Sequence, residues 1–130
     1  MQRTLTNDNL LIFHPPTAGA DTNVYELDGN TGFCAGIAEM ILQSQDGVIY
    51  LLPTLPKAWQ NGSVKGLCAR GGFEVDITWE KGQLINAQVY SKHSQSCVVR
   101  YKNTKINLRT EGDCKYVFDR DMKFIISYEK

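Results

Sequence analysis

Phe73-Glu74-Val75-Asp76-Ile77-Thr78-Trp79-Glu80-Lys81-Gly82-Gln83-Leu84 is the stretch that decides the fold. Phe73, Val75, Ile77 and Trp79 alternate with Glu74, Asp76 and Thr78, the period-two pattern of a half-buried strand. Glu80-Lys81-Gly82-Gln83 then turns the chain into Leu84 to Ser91, which predicts a hairpin. Strands are predicted in the same way at Val48–Leu52, Val64–Arg70, Cys97–Lys102, Lys105–Arg109, Lys115–Phe118 and Lys123–Tyr128. Pro53 and Pro56 stop the first of these, and Asn103-Thr104, Glu111-Gly112-Asp113 and Asp119-Arg120-Asp121 separate the later ones. Short strands at such regular spacing predict a mainly β chain, folded as an antiparallel β-sandwich-like domain.

Upstream the character changes. Residues 1 to 32 carry His14-Pro15-Pro16, a run of small turn residues and Asp28-Gly29-Asn30, which together predict an extended, irregular segment. Phe33–Gln45 reads as a helix, capped by Asn30 or Thr31 and ended by Asp46-Gly47. Its apolar residues cover most of its circumference, as in a helix packed on several sides. One small sheet cannot cover all of that surface. The helix therefore calls for more protein against it: the rest of a larger chain, or a second copy of this one.

Composition removes several classes. The 130 residues suit one domain, and 14 basic residues balance 14 acidic ones with no run of Lys or Arg, so nucleic acid is not the expected partner. The longest nearly apolar run, Phe33 to Leu42, is far short of the ~20 residues of a membrane span. Residues Met1 to Asn9 show no signal-peptide pattern. Cys34, Cys68, Cys97 and Cys114 form no C-x-x-C pair, and with only two histidines neither a metal site nor any other cofactor is expected. Cys34 and Cys68 lie in apolar patterns and are read as buried free thiols. Trp79 is read as core, and Trp59, after a proline-rich loop, as a residue that packs the β-domain against a neighbour.

An ordered series of motifs adds a family resemblance. Asp28-Gly29-Asn30 is followed by Ala35-Gly36-Ile37-Ala38-Glu39-Met40-Ile41-Leu42-Gln43-Ser44 and by Leu51-Leu52-Pro53-Thr54-Leu55-Pro56-Lys57-Ala58-Trp59. Then come Gly62-Ser63-Val64-Lys65-Gly66-Leu67-Cys68-Ala69-Arg70-Gly71-Gly72-Phe73-Glu74-Val75 and Trp79. From about Asn9 to about Tyr101 this resembles the C-terminal segment of glycoside hydrolase family 95, best known for inverting α-L-fucosidases, here expected to be of bacterial type. The tail from Asn103 to Lys130 matches only as generic strands.

The resemblance implies that residues 1–46 are the end of a catalytic (α/α) barrel, with Phe33–Gln45 as its last helix, and that residues 47–130 are its C-terminal β-domain. It implies Asp28 as the catalytic base, His14 and Asn30 as substrate contacts, an oligosaccharide as substrate, and a periplasmic or secreted setting. The acid, a glutamate in the family, and the asparagines that orient the base would lie upstream of this chain, so the chain alone is expected to be inactive. The sequence also departs from the family. Eight extra residues, Thr17 to Val24, separate His14-Pro15-Pro16 from Tyr25. Ile12 stands where an acid is usual, and Thr31 where phenylalanine is usual. The reading from a different class is a non-catalytic β-sandwich that binds carbohydrate or packs on a partner.

Overall fold

A computed structural model describes Leu11, residues 13–14 and residues 23–128 of the chain. They fall into two compact units, divided between Ile37 and Ala38.

In the first unit, strand β1 (Phe13–His14) pairs antiparallel with β2 (Val24–Tyr25), Phe13 opposite Tyr25 and His14 opposite Val24. The Phe13 and Tyr25 rings meet edge-on, 6.0 Å between centroids. Helix α1 (Leu27–Ile41) follows. It begins earlier than the sequence predicts, because Asp28-Gly29-Asn30 is its first turn and not the loop before it. The Glu26 carbonyl takes the Asn30 N–H at 3.1 Å, opening the helix. Asn30 and Thr31 do not cap it: their side chains donate back to the carbonyls of Glu26 and Leu27. The excess of apolar surface expected of this helix is present. Ile41 is buried, whereas Leu27 and Phe33 are 66% and 47% exposed, so the chain alone does not bury the helix on all sides.

The helix also ends earlier than predicted. Leu42–Gln45 is strand β3, joined to β4 (Val48–Leu51) through Asp46-Gly47. Positive φ at both turn residues, 52° and 73°, is the requirement of a two-residue hairpin turn, and Asp-Gly meets it at low cost. The same device, Lys81-Gly82 with φ of 50° and 69°, joins β6 (Phe73–Glu80) to β7 (Gln83–Ser91).

The remaining strands are β5 (Gly62–Ala69), β8 (Gln95–Tyr101), β9 (Thr104–Thr110), β10 (Cys114–Asp119) and β11 (Phe124–Tyr128). They form a five-stranded sheet, in the order β11-β10-β7-β6-β5, and a four-stranded sheet, β3-β4-β8-β9. All pairs are antiparallel except β4 with β8. That exception follows from the path: the chain leaves the small sheet after β4, builds β5 to β7 in the large one, and returns as β8 beside β4. The predicted alternation holds residue by residue. Val75, Ile77, Trp79, Leu84, Ala87, Val89, Tyr116 and Phe118 of one sheet and Ile49, Leu51, Val99 and Leu108 of the other are buried. Each full-sized side chain among them contributes roughly 1.5–3 kcal/mol on leaving water.

Polar groups inside this core are matched. The Tyr101 hydroxyl accepts the Leu84 N–H at 3.0 Å, and the Ser91 and Thr110 hydroxyls lie 3.0 Å apart. The Trp79 indole N–H donates to the Trp59 carbonyl at 2.9 Å, so Trp59 supplies backbone to hold the core tryptophan. All four cysteines are free, but Cys34 and Cys68 are exposed, not buried. For Cys68 the reason is a bulge: the register of β5 shifts between Val64 and Leu67, pairing Cys68 with Glu74 on the outer face. Cys34, within α1, is exposed although it lies at helical spacing from the buried Asn30 and Ile41. Among the described residues no helix is long and apolar enough to cross a membrane.

Candidate functional site

Asp28 stands in the first turn of α1, exposed to solvent. A carboxylate there is favoured by the positive end of the helix dipole. Its Oδ1 accepts the N–H of Gly29 at 3.0 Å, one of the donors a helix start leaves without a helical partner. The local physics that places Asp28 is thus that of a helix start, and the hydrogen bond to Gly29 engages one of its two carboxylate oxygens.

The other two residues of the site are placed differently. Asn30 is buried, and its side-chain amide donates to the Glu26 carbonyl. Two residues along a helix is about 200° around it, so Asn30 and Asp28 do not face one point. Asn30 fixes the first turn that carries Asp28. His14 sits in β1, where the pairing opposite Val24 returns its backbone to within four residues of Asp28 along the neighbouring strand. Val24, the last of the eight extra residues, is therefore itself part of that strand pair. The His14 side chain is outside the described residues.

Among the described residues the second unit offers clefts. A cleft of about 410 Å³ is lined by Glu80, Lys81, Gln83, Tyr101, Arg120 and Asp121, two acids beside two bases, and the Tyr101 hydroxyl is already engaged by Leu84. A smaller one, about 240 Å³, runs past Ser44, Arg70, Gln95 and Cys97. Burial pushes the Cys97 thiol up to about 11. Burial, then the charges of Glu111 and Asp113, raise Cys114 as well. Both shifts favour the neutral thiol. Among the described residues no group of three or more metal-binding side chains converges.

Fold and site together define a two-sheet β-domain preceded by a helix that carries the exposed Asp28 in its first turn. The chain belongs to the glycoside hydrolase family 95 C-terminal domain family, whose pattern it matches over residues 43–129. It is 36% identical over 118 residues to alpha-L-fucosidase 2 of Arabidopsis thaliana, a match that takes in 90% of this chain and 13% of that protein. Probable alpha-fucosidase A of Aspergillus oryzae is 35% identical over 81 residues, covering 53% of this chain and 11% of its own length. The protein of the same name from Aspergillus niger is 27% identical over 74 residues, 48% of this chain and 9% of its own. The chain thus spans about an eighth of the length of the plant relative.

Proposed function

We propose that this chain is the closing segment of an inverting α-L-fucosidase, that Asp28 is the base of its active site, and that the chain alone hydrolyses nothing. The observation that carries this reading is the reach of the plant match. It takes in 90% of the chain, so at most about a tenth, some 13 residues, lies outside it. Asp28 lies deeper than that from either end, so the likeness extends beyond the β-domain to the turn that holds the carboxylate.

The chemistry needs more than Asp28. Inversion requires a base that takes a proton from water as it attacks the anomeric carbon, and an acid that protonates the departing oxygen on the opposite side. The two carboxyl groups stand roughly 6.5–9.5 Å apart. Asp28, exposed and fixed in a first helical turn, suits the base. The acid and the walls of the sugar pocket are assigned to the barrel that precedes this segment in full-length relatives, and the open apolar face of α1 to contact with that barrel. Loss of a general acid costs about 10²–10⁴-fold by itself.

The test is hydrolysis of an aryl α-L-fucoside by the purified 130-residue chain. No release above the buffer rate is expected. Saturable turnover that is abolished by Asp28→Asn would mean that the acid lies within these residues, and the proposal would fall.

A further inference from the structure

The sequence scatters its basic residues, but the fold gathers some of them. Pairing places Gln43 opposite Tyr50, Tyr50 opposite Arg100, and Arg100 opposite Lys105, one row across all four strands of the small sheet. With strands about 4.8 Å apart, the row is about 14 Å long. It lies on the outer face, because Ile49, Leu51, Val99, Tyr101 and Leu108 point the other way into the core. Arg109, opposite Ser96, and Asn107, opposite Val98, belong to the same face. No strand residue on this face is acidic, while Glu74, Asp76 and Glu80 are on the outer side of the other sheet. A chain of zero net charge therefore carries one basic face.

The centre of the row is preorganised. The Arg100 guanidinium carbon stands 4.3 Å from the centre of the Tyr50 ring, and its Nε donates to the Lys102 carbonyl at 2.9 Å. Stacking and that one hydrogen bond hold the plane of the fork, and the hydrogen bond uses Nε and not the terminal N–H groups. A planar fork held in this way suits a carboxylate, which it can grip through two parallel hydrogen bonds. Lys105 beside it adds a point charge, and the amides of Gln43 and Asn107 offer donors and acceptors to hydroxyl groups.

We propose that this outer face binds a carboxylate-bearing polysaccharide, a chain of uronic acid residues, independently of Asp28. The face is a sheet and not a pocket, so it fits a polymer laid across it better than a small molecule. Its apolar content is limited to Val48 and Val98, far from the apolar centre that a protein partner needs. Its one aromatic ring is already covered by Arg100, so it offers no free platform for nucleic-acid bases.

The test is affinity electrophoresis of the full chain in gels containing polygalacturonate, at about 50 mM salt, beside gels with dextran, dextran sulfate or single-stranded DNA. Retardation by polygalacturonate and not by dextran is expected. Arg100→Gln should weaken it about ten- to a hundredfold, the scale of a lost charge-assisted hydrogen-bonding group. Tyr50→Leu, which removes the support and no charge, should weaken it as well, as should Lys105→Ala at an exposed position. Circular dichroism melts check that each variant remains folded. Three results would overturn the proposal: no retardation by polygalacturonate, retardation unchanged in Arg100→Gln and Lys105→Ala, or equal Arg100-dependent retardation by dextran sulfate or DNA.

Discussion

Replacing Gly62 by alanine tests how the edge of the five-stranded sheet is built. Gly62 lies on edge strand β5, directly opposite Trp79. A methyl group at Gly62 would stand 2.4 Å from Trp79 Cζ2 and 2.9 Å from Cε2 and Cη2. Such contacts cannot persist, so ring or strand must move. The ring is poorly free to do so, since Trp79 is buried and its N–H is held by the Trp59 carbonyl at 2.9 Å. The glycine is thus covered by an aromatic side chain in place of one of its own, a pairing that shields edge glycines in sheets.

Overpacking of this kind costs about 1–3 kcal/mol, and losing the indole hydrogen bond adds about 1 kcal/mol. The lower chain entropy of unfolded alanine returns about 0.4–1 kcal/mol. Gly62→Ala should therefore destabilise by about 1–3 kcal/mol, a fall in Tm of roughly 4–12 °C for a chain of this size. Thermal melts followed by circular dichroism read this directly. In a Trp79→Leu background the clash is gone, and Gly62→Ala should become close to neutral. A Gly62→Ala chain as stable as the parent, or an equal loss in both backgrounds, would refute the reasoning.

Three further outcomes follow from other parts of the molecule. At pH 8 a thiol reagent should label Cys34 and Cys68 in the folded chain and reach Cys97 and Cys114 only on denaturation, because only the first pair is exposed. The buried Cys97 thiol, raised from 9.0 to about 11, favours the neutral form in the folded state. Its contribution is therefore complete below pH 9 and is lost as pH rises through 11, up to about 2–3 kcal/mol, a slope that denaturant titrations should find reduced in Cys97→Ala. Phe33, Ile37 and Met40 recur at helical spacing along α1, and Phe33 is 47% exposed, so sedimentation of the chain alone should show concentration-dependent association that weakens in Phe33→Gln.

Most of the β-domain was legible because one face of each strand is buried, which writes period two into residues such as Phe73, Val75, Ile77 and Trp79. The helix ends were not. Gly29 and Gly32 are poor helix formers, so the first turn of α1 reads as loop until its hydrogen bonds are seen. Ile41-Leu42 continues an apolar run in which helix and strand cannot be told apart by pattern alone. Asp46-Gly47 serves equally as a helix stop or a hairpin turn, and only the pairing of Leu42–Gln45 with Val48–Leu51 decides it. The bulge that turns Cys68 outward lies between residues with no distinctive spacing. The row from Gln43 to Lys105 depends on three strand pairings, one spanning 50 residues, and nothing local in the sequence encodes it. At the candidate site the motif singled out Asp28 and Asn30 together, and did not show that Asn30 turns away from Asp28.

The central claim is that Asp28 completes a glycosidase active site supplied mainly by another part of the protein. The direct measurement is a segment exchange, in which this chain replaces the matching stretch of alpha-L-fucosidase 2 of Arabidopsis thaliana, with and without Asp28→Asn, and kcat is read on an aryl α-L-fucoside. The account predicts that the exchanged enzyme turns over and that Asp28→Asn lowers kcat by about 10²–10⁴-fold at unchanged Tm. An active exchanged enzyme whose kcat is indifferent to Asp28→Asn would contradict it.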